Sequence, residues 1–172
     1  ALLPHLDETP KANPLASVKI PPPEALPQAV LEHWPEVSPE LLAGDQDALA
    51  GLPIDHDVAR GAQAGGTEAA EKTLAHFLRH NLARYADRRS DIDDSAASGL
   101  SPYLHHGHVA AHEIFDRIAR REDWSPERTA EKTAGQREGW WGMSAGAEAF
   151  LDELITWREL GYQFCARRDD YQ

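Results

Sequence analysis

Sulfur is scarce in this chain of 172 residues, which contains one cysteine, Cys165, and one methionine. A lone cysteine cannot form an internal disulfide, so the fold does not depend on covalent cross-links. The sequence also lacks a secretion signal and any apolar run long enough to cross a bilayer. These absences predict a cytoplasmic protein without a membrane-spanning segment.

Basic side chains are few relative to acidic ones. The chain has 17 lysines and arginines against 29 aspartates and glutamates, for a formal net charge of -12 at pH 7. Nucleic-acid binding depends largely on clustered lysines and arginines that face the phosphates. The composition therefore excludes a general electrostatic attraction for nucleic acid, and any such role must depend on a local patch.

No segment alternates between polar and apolar residues as a half-buried strand does, so we predict an all-α fold. Ten of the 12 prolines lie within the first 53 residues. Because proline has no amide hydrogen and disrupts helix interiors, we predict a proline-rich leader over residues 1–52 with only short helices. Two candidates are 27–34 and 38–52, the second capped by Ser38.

After Gly65 and Gly66, apolar residues recur at three- and four-residue steps from Leu74 to Tyr85. This period predicts an amphipathic helix over 67–88. Further helices are predicted over 102–106, over 108–121, from Pro126 onward, and over 147–164. Trp140 and Trp141 fall in a glycine-rich loop and are interpreted as packing or rim residues.

The segment SGLSPYLHHGHVAAHEIF, residues 98–115, contains four histidines within eight residues. His108 and His112 are four residues apart and would share one helix face, a spacing by which two imidazoles can bind one metal. A metal needs further ligands, and Glu113 would point about 100° away from His112 on an ideal helix. A metal site and ordinary surface or hydrogen-bonded histidines both stay open.

The same segment begins with a turn in which Ser98 and Ser101 flank Gly99 ahead of a helix start. Hydroxyls and free amide hydrogens in such a place suit a phosphate. Serine before proline is also a common helix cap that binds no ligand. The residues alone leave both interpretations open.

Glu153 and Trp157 are four residues apart on the last predicted helix and would share a face. A carboxylate beside an aromatic ring suits a nucleic-acid base, which the carboxylate bonds at its edge and the ring stacks on. The residues alone favour Trp157 as a core aromatic. They favour Glu153 and Arg158 as an exposed charged pair.

Two motifs in this order resemble segments of the DNA photolyase and cryptochrome family. SGLSPYLHHG is similar to its Ser-x-Leu-Ser-Pro-Tyr-Leu-His-Phe-Gly segment. FLDELITWRELGYQFC, residues 150–165, resembles its Glu-Leu-Ile...Trp-Arg-Glu-Leu helix, with an ending like that of class II cyclobutane pyrimidine dimer photolyases. The stretch from Gly65 resembles the helix before the serine motif. The resemblance covers about 53–172 and implies the first half of an all-helical FAD-binding domain.

The resemblance also implies roles for particular residues. The residues that match the phosphate side of the FAD site are Tyr85, Ser98, Gly99, Leu100 and Ser101. Arg158 matches an arginine near the flavin. Glu153 and Trp157 match the pair that contacts the pyrimidine dimer. His106 departs from the pattern, which has phenylalanine there, and Val109-Ala110 replaces Ile-Ser. A polar ring at 106 leaves the local packing open.

The implied activity is light-driven electron transfer from reduced FAD to a flipped pyrimidine dimer in UV-damaged DNA. The chain begins with alanine and ends without a recognisable helix stop, so we expect a segment of a longer enzyme, inactive by itself. Such a segment lacks the α/β domain of the family and the second half of its flavin domain. A cryptochrome-like photoreceptor, a non-catalytic helical remnant and a metal-binding protein stay open as alternatives.

Overall fold

The structure is a computed structural model that describes residues 26–58, 61–131, 139–168 and 170. All regular elements in these ranges are helical, which confirms the predicted all-α fold. The chain divides into two compact units, Ser17–Gln63 and a larger unit that includes Ala64–Gln172. Residues 1–25, which hold six of the ten prolines of the first 53 residues, lie outside the described residues. Within the described ranges, no helix combines the length and the apolar character needed to span a membrane.

The described residues of the smaller unit form three short helices, α1 (Gln28–His33), α2 (Pro39–Leu42) and α3 (Gln46–Ala50). The Ser38 hydroxyl accepts a hydrogen bond from the Leu41 amide at 3.1 Å, which confirms the predicted cap. The single helix predicted here is divided in two, because Gly44 adopts a left-handed φ of +70° and ends α2. Asp45 then caps α3.

The first long helix of the larger unit occupies the predicted range. It consists of α4 (Thr67–His76), a π-helical turn (Phe77–Asn81), a 3₁₀ turn (Leu82–Arg84) and α5 (Tyr85–Arg88). One side of it enters the core through Ala70, Leu74, Phe77, Leu82 and Tyr85. The apolar period in the sequence therefore correctly identified both the helix and its buried face.

The middle of the unit contains α6 (Ser101–His105) and α7 (Ala111–Arg121). Gly107 has a φ of +69° and ends the turn after α6, as predicted. Helix α7 begins three residues later than predicted, because Val109 is buried and Ala110 is extended. His108 therefore precedes the helix that carries His112, and the prediction that the two share a helix face is wrong.

The helix predicted from Pro126 is a 3₁₀ turn over Pro126–Arg128, and Thr129 is extended. Residues 132–138, where the prediction continued, lie outside the described residues. The last long helix consists of α8 (Ala145–Leu151), a π-helical turn (Asp152–Trp157) and α9 (Arg158–Arg167). It begins before and ends beyond the predicted 147–164.

Two groups of aromatic rings fill the core of the larger unit. Phe77, Tyr85 and Phe150 join the two long helices, with ring centroids 4.7 to 5.7 Å apart. The second group includes Phe115 of α7 and the three tryptophans that pack with it or with one another, Trp124, Trp140 and Trp141. The indole N–H of Trp124 donates to the carbonyl of Trp141 at 2.6 Å. Trp141 is buried and Trp140 is half-buried beside it, in agreement with their interpretation as packing or rim residues.

A buried carboxylate holds the loop between the tryptophans and α8. Glu148 is 3% exposed and accepts hydrogen bonds from the amides of Trp140 at 3.1 Å and Met143 at 3.2 Å. A buried carboxylate is tolerated when such donors satisfy its oxygens. The start of the last long helix is thereby fixed against the aromatic group.

The two long helices lie close together at Gly146, where a Cβ atom would overlap the carbonyl oxygen of Leu82. We expect Gly146→Ala to lower the free energy of unfolding by about 1–3 kcal/mol, as overpacking does elsewhere. Urea titration monitored by circular dichroism would measure this change.

Gly161→Ala is the matched control, because a Cβ at Gly161 in α9 meets no neighbour within 4 Å. It should leave the free energy of unfolding unchanged or raise it by up to about 1 kcal/mol, since alanine favours a helix interior over glycine. Equal destabilisation by the two substitutions would contradict the close approach at Gly146.

Candidate functional site

The serine turn, residues 98–101, leads from the loop after α5 into α6. Leu100 is fully buried, Gly99 and Ser101 are exposed, and Ser98 is half-buried. The Ser98 hydroxyl accepts from the Leu100 amide at 3.3 Å. Gly99 has a φ of +68°, and a Cβ there would lie 3.4 Å from the Thr73 methyl group, so glycine suits the position. Leu100 thus anchors a turn whose serines stay accessible to solvent.

The loop before the serine turn is tied to the first long helix by polar contacts. The Asn81 amide nitrogen donates to the Ala97 carbonyl at 3.3 Å. The Arg84 guanidinium bonds both the carbonyl of Asp94, at 3.1 Å, and its carboxylate, at 2.5 Å. These contacts fix the serine turn relative to the helix that carries Tyr85.

Tyr85 belongs to the aromatic core, with 9% of its surface exposed. Its ring packs edge-to-face against Phe77 and Phe150, at centroid distances of 5.7 and 5.2 Å. The Arg89 guanidinium lies 5.8 Å from the ring centroid. Burial raises the pKa of the Tyr85 phenol; the Arg89 charge opposes this rise and the Glu153 carboxylate adds to it. Tyr85, predicted to contact the cofactor, is therefore part of the structural core.

Glu153 lies in the π turn of the last long helix and forms an ion pair with Arg89, with Nη1 and Oε1 3.2 Å apart. Both side chains are about 40% exposed (37% and 43%). Arg89 thereby connects Glu153 to Tyr85 on the other long helix. Our sequence reasoning missed Arg89, although its position four residues after Tyr85 places it on the same helix face. In the described part of the chain, the ion pair of Glu153 is with Arg89 and not with Arg158.

Trp157 is 46% exposed, so the alternative that it is a core aromatic is wrong. Its indole N–H donates to the carboxylate of Asp152, with Nε1 and Oδ2 3.2 Å apart. Asp152 was not among the residues predicted for the site. Glu153 and Trp157, the predicted pair, thus have different partners.

Arg158 is exposed at the start of α9. Its guanidinium donates to the Tyr162 hydroxyl at 3.3 Å and lies 5.5 Å from the centroid of the Tyr162 ring. These contacts run along the helix, one turn towards its C-terminus. They do not bring Arg158 together with Tyr85 and Arg89.

The histidines beside the serine turn lie mostly at the surface. His105 and His106 are exposed, and their rings pack edge-to-face at 4.8 Å. The departure at His106 therefore does not bury a polar ring. His108 is half-buried, and its amide donates to the Tyr103 carbonyl at 2.8 Å. Within the described ranges, no three or more His, Cys, Asp or Glu side chains are grouped so that they could hold a metal ion.

The raised pKa of Tyr85 predicts a fall in stability at alkaline pH. The stabilising contribution is fully present below the ordinary tyrosine pKa of 10.0, because both states then keep the proton. It is lost as the pH rises through the higher pKa of the folded state, since the unfolded chain ionises first. Tyr85→Phe should therefore lose less free energy of unfolding than the parent between about pH 9 and pH 11.

Urea titrations at a series of pH values, monitored by tryptophan fluorescence, would measure this difference. Tyr162→Phe is the matched control, because Tyr162 is 59% exposed. The free energy of unfolding of Tyr162→Phe should decline with rising pH as steeply as that of the parent. A decline in Tyr85→Phe as steep as in the parent would show that Tyr85 does not contribute to it.

Curated proteins similar to this chain are deoxyribodipyrimidine photo-lyases. The protein of Streptomyces griseus is 32% identical over an alignment of 129 residues, and the match covers 72% of this chain and 24% of that protein. The protein of Thermus thermophilus is 31% identical over 148 residues, 86% of this chain and 26% of its own length. The protein of Oryza sativa subsp. japonica is 28% identical over an alignment of 157 residues, and the match covers 82% of this chain and 27% of that protein.

This chain spans about a quarter of the length of the curated relatives it matches. No protein-family model and no solved structure matches it. The names of these relatives agree with the family that the serine motif and the downstream Trp-Arg-Glu-Leu motif indicated, and the helical fold agrees with both. The chain therefore belongs to the DNA photolyase family, and its fold is that of a part of the family's helical domain.

Proposed function

We propose that this chain is the part of a light-driven DNA repair photolyase that binds the phosphate side of FAD and one side of a pyrimidine dimer. The observation that carries the proposal is the serine turn, accessible to solvent, anchored by buried Leu100 and tied to the helix of Tyr85. The relatives are named as lyases of deoxyribodipyrimidine, which supports repair and does not favour a cryptochrome-like photoreceptor.

The donor groups at the serine turn fit a diphosphate. Ser98 and Ser101 offer hydroxyls, and the exposed backbone at Gly99 allows close approach without a side chain. Arg158, which matches an arginine near the flavin in the family pattern, offers an exposed guanidinium to the cofactor outside the serine turn. Reduced FAD, when bound, supplies the electron that splits the dimer under light. Residues of this chain hold the cofactor and orient the lesion.

Glu153 is proposed to bond the edge of a flipped base. Its Oε1 pairs with Arg89, and a carboxylate has several acceptor positions, so Oε2 retains capacity for a base N–H. The ion pair also restricts the carboxylate to a limited set of orientations. Because the pair is 37% to 43% exposed, a base can reach it without entering the core.

Trp157 is proposed to stack on the same lesion. Nearly half of its surface is accessible, and stacking of a base on an aromatic ring is worth about 1–3 kcal/mol. A pyrimidine dimer is flipped at lower cost than an intact pair, because its stacking and pairing are already weakened. Stacking on Trp157 and the lower cost of flipping a dimer together favour UV-damaged DNA as the partner despite the net charge of -12.

The first test measures FAD binding by the purified chain. Binding is detected by visible absorption after dialysis and by calorimetry. We expect the bands of bound oxidised flavin, and about tenfold weaker binding in Ser101→Ala, since one hydrogen bond to a charged phosphate is lost. Tyr85→Phe should also weaken binding. A chain that stays folded by circular dichroism and ignores FAD would contradict the proposal.

Ser90→Ala is the matched control for Ser101→Ala, because Ser90 is also an exposed serine of the larger unit and lies outside the serine turn. It should bind FAD as the parent does. If the two serine variants bind FAD equally well, the serine turn is not the phosphate site.

A further inference from the structure

Asp152 and Trp157 form a hydrogen bond that an ordinary α-helix would not allow. Residues five apart lie about 140° from each other around an α-helix. Residues 152–157 form a π-helical turn, in which the backbone bonds join residues five apart and the turn is wider. The widened turn brings the Asp152 carboxylate within 3.2 Å of the Trp157 indole nitrogen.

The neighbouring acids of this turn have separate partners. Glu153 pairs with Arg89 of the first long helix, whereas Asp152 bonds the indole of its own helix. Leu151 and Leu154, both buried, hold the turn against the core. Loss of the Asp152 carboxylate would therefore leave the Glu153 ion pair in place.

We infer that Asp152 is a positioning residue for Trp157: by accepting the indole N–H, it holds the ring in one orientation before a base stacks on it. This role rests on the proposed function. Trp157 is 46% exposed, and an exposed side chain that is immobilised only on binding costs affinity. A hydrogen bond to a charged acceptor is stronger than a neutral one, so it suits this purpose.

The first experiment observes the contact directly in the intact chain. The indole N–H signals of ¹⁵N-labelled protein are recorded, and that of Trp157 is assigned by its loss in Trp157→Phe. In Asp152→Ala we expect this signal to move and its hydrogen exchange to speed up, with the other indole signals unchanged. Asp152→Asn keeps a carbonyl acceptor and should preserve most of the protection.

The second experiment measures binding of an oligonucleotide with a single cyclobutane thymine dimer, against the undamaged sequence. We expect Asp152→Ala to bind the damaged strand about three- to tenfold more weakly than the parent, and Asp152→Asn to stay within about twofold. Removing a negative charge by itself should strengthen DNA binding. A loss of affinity in Asp152→Ala therefore cannot come from the change in charge.

Glu159→Ala is the matched control, since Glu159 is an exposed acid in α9. It removes the same charge and should bind DNA as tightly as the parent or more so. If the parent prefers damaged DNA but Asp152→Ala binds it like Glu159→Ala, the positioning role is overturned and the proposed function stands. If the parent shows no preference for the dimer, the lesion-binding part of the proposed function fails, and the positioning role fails with it.

Discussion

The backbone contact between Gly146 and Leu82 lets the last long helix approach the first, and the candidate site depends on it. A side chain at 146 would overlap the Leu82 carbonyl, so only glycine allows this separation. Four residues later, Phe150 reaches the rings of Phe77 and Tyr85. Three residues beyond, Glu153 reaches Arg89. The three positions lie on one helix face, so a change of helix spacing at Gly146 would be transmitted to the ion pair.

Each long helix also contains a π-helical turn beside the site. The first, Phe77–Asn81, lies one turn before Tyr85, and the second, Asp152–Trp157, contains both residues proposed to contact the lesion. Such turns are rare and occur often at functional sites, because they alter the direction of the side chains that follow. In the last helix the π turn joins Asp152 to Trp157, a pairing without a counterpart in regular α-helical spacing.

The sequence allowed much of the fold to be predicted where short-range pattern decides it. The helix over 67–88 followed from its apolar period, and the caps at Ser38 and Gly107 followed from residue chemistry. The predicted start of α7 was wrong because Val109 is buried and Ala110 is extended, so residues 108–110 precede the helix. Arg89 could have been found from its spacing to Tyr85. Asp152 could not, since α-helical geometry places it away from Trp157.

Local sequence thus decided which segments are helical, which faces are buried and which family motifs the chain carries, because these properties depend on neighbours within a few residues. The packing of the two long helices against each other decided which side chains of the candidate site meet. It brought Tyr85 and Glu153 together through Arg89, left Arg158 beside Tyr162, and placed Trp157 at the surface. The contact that joins Tyr85 and Arg89 to Glu153 spans about 65 positions of the sequence, and only packing against the shared core determines it.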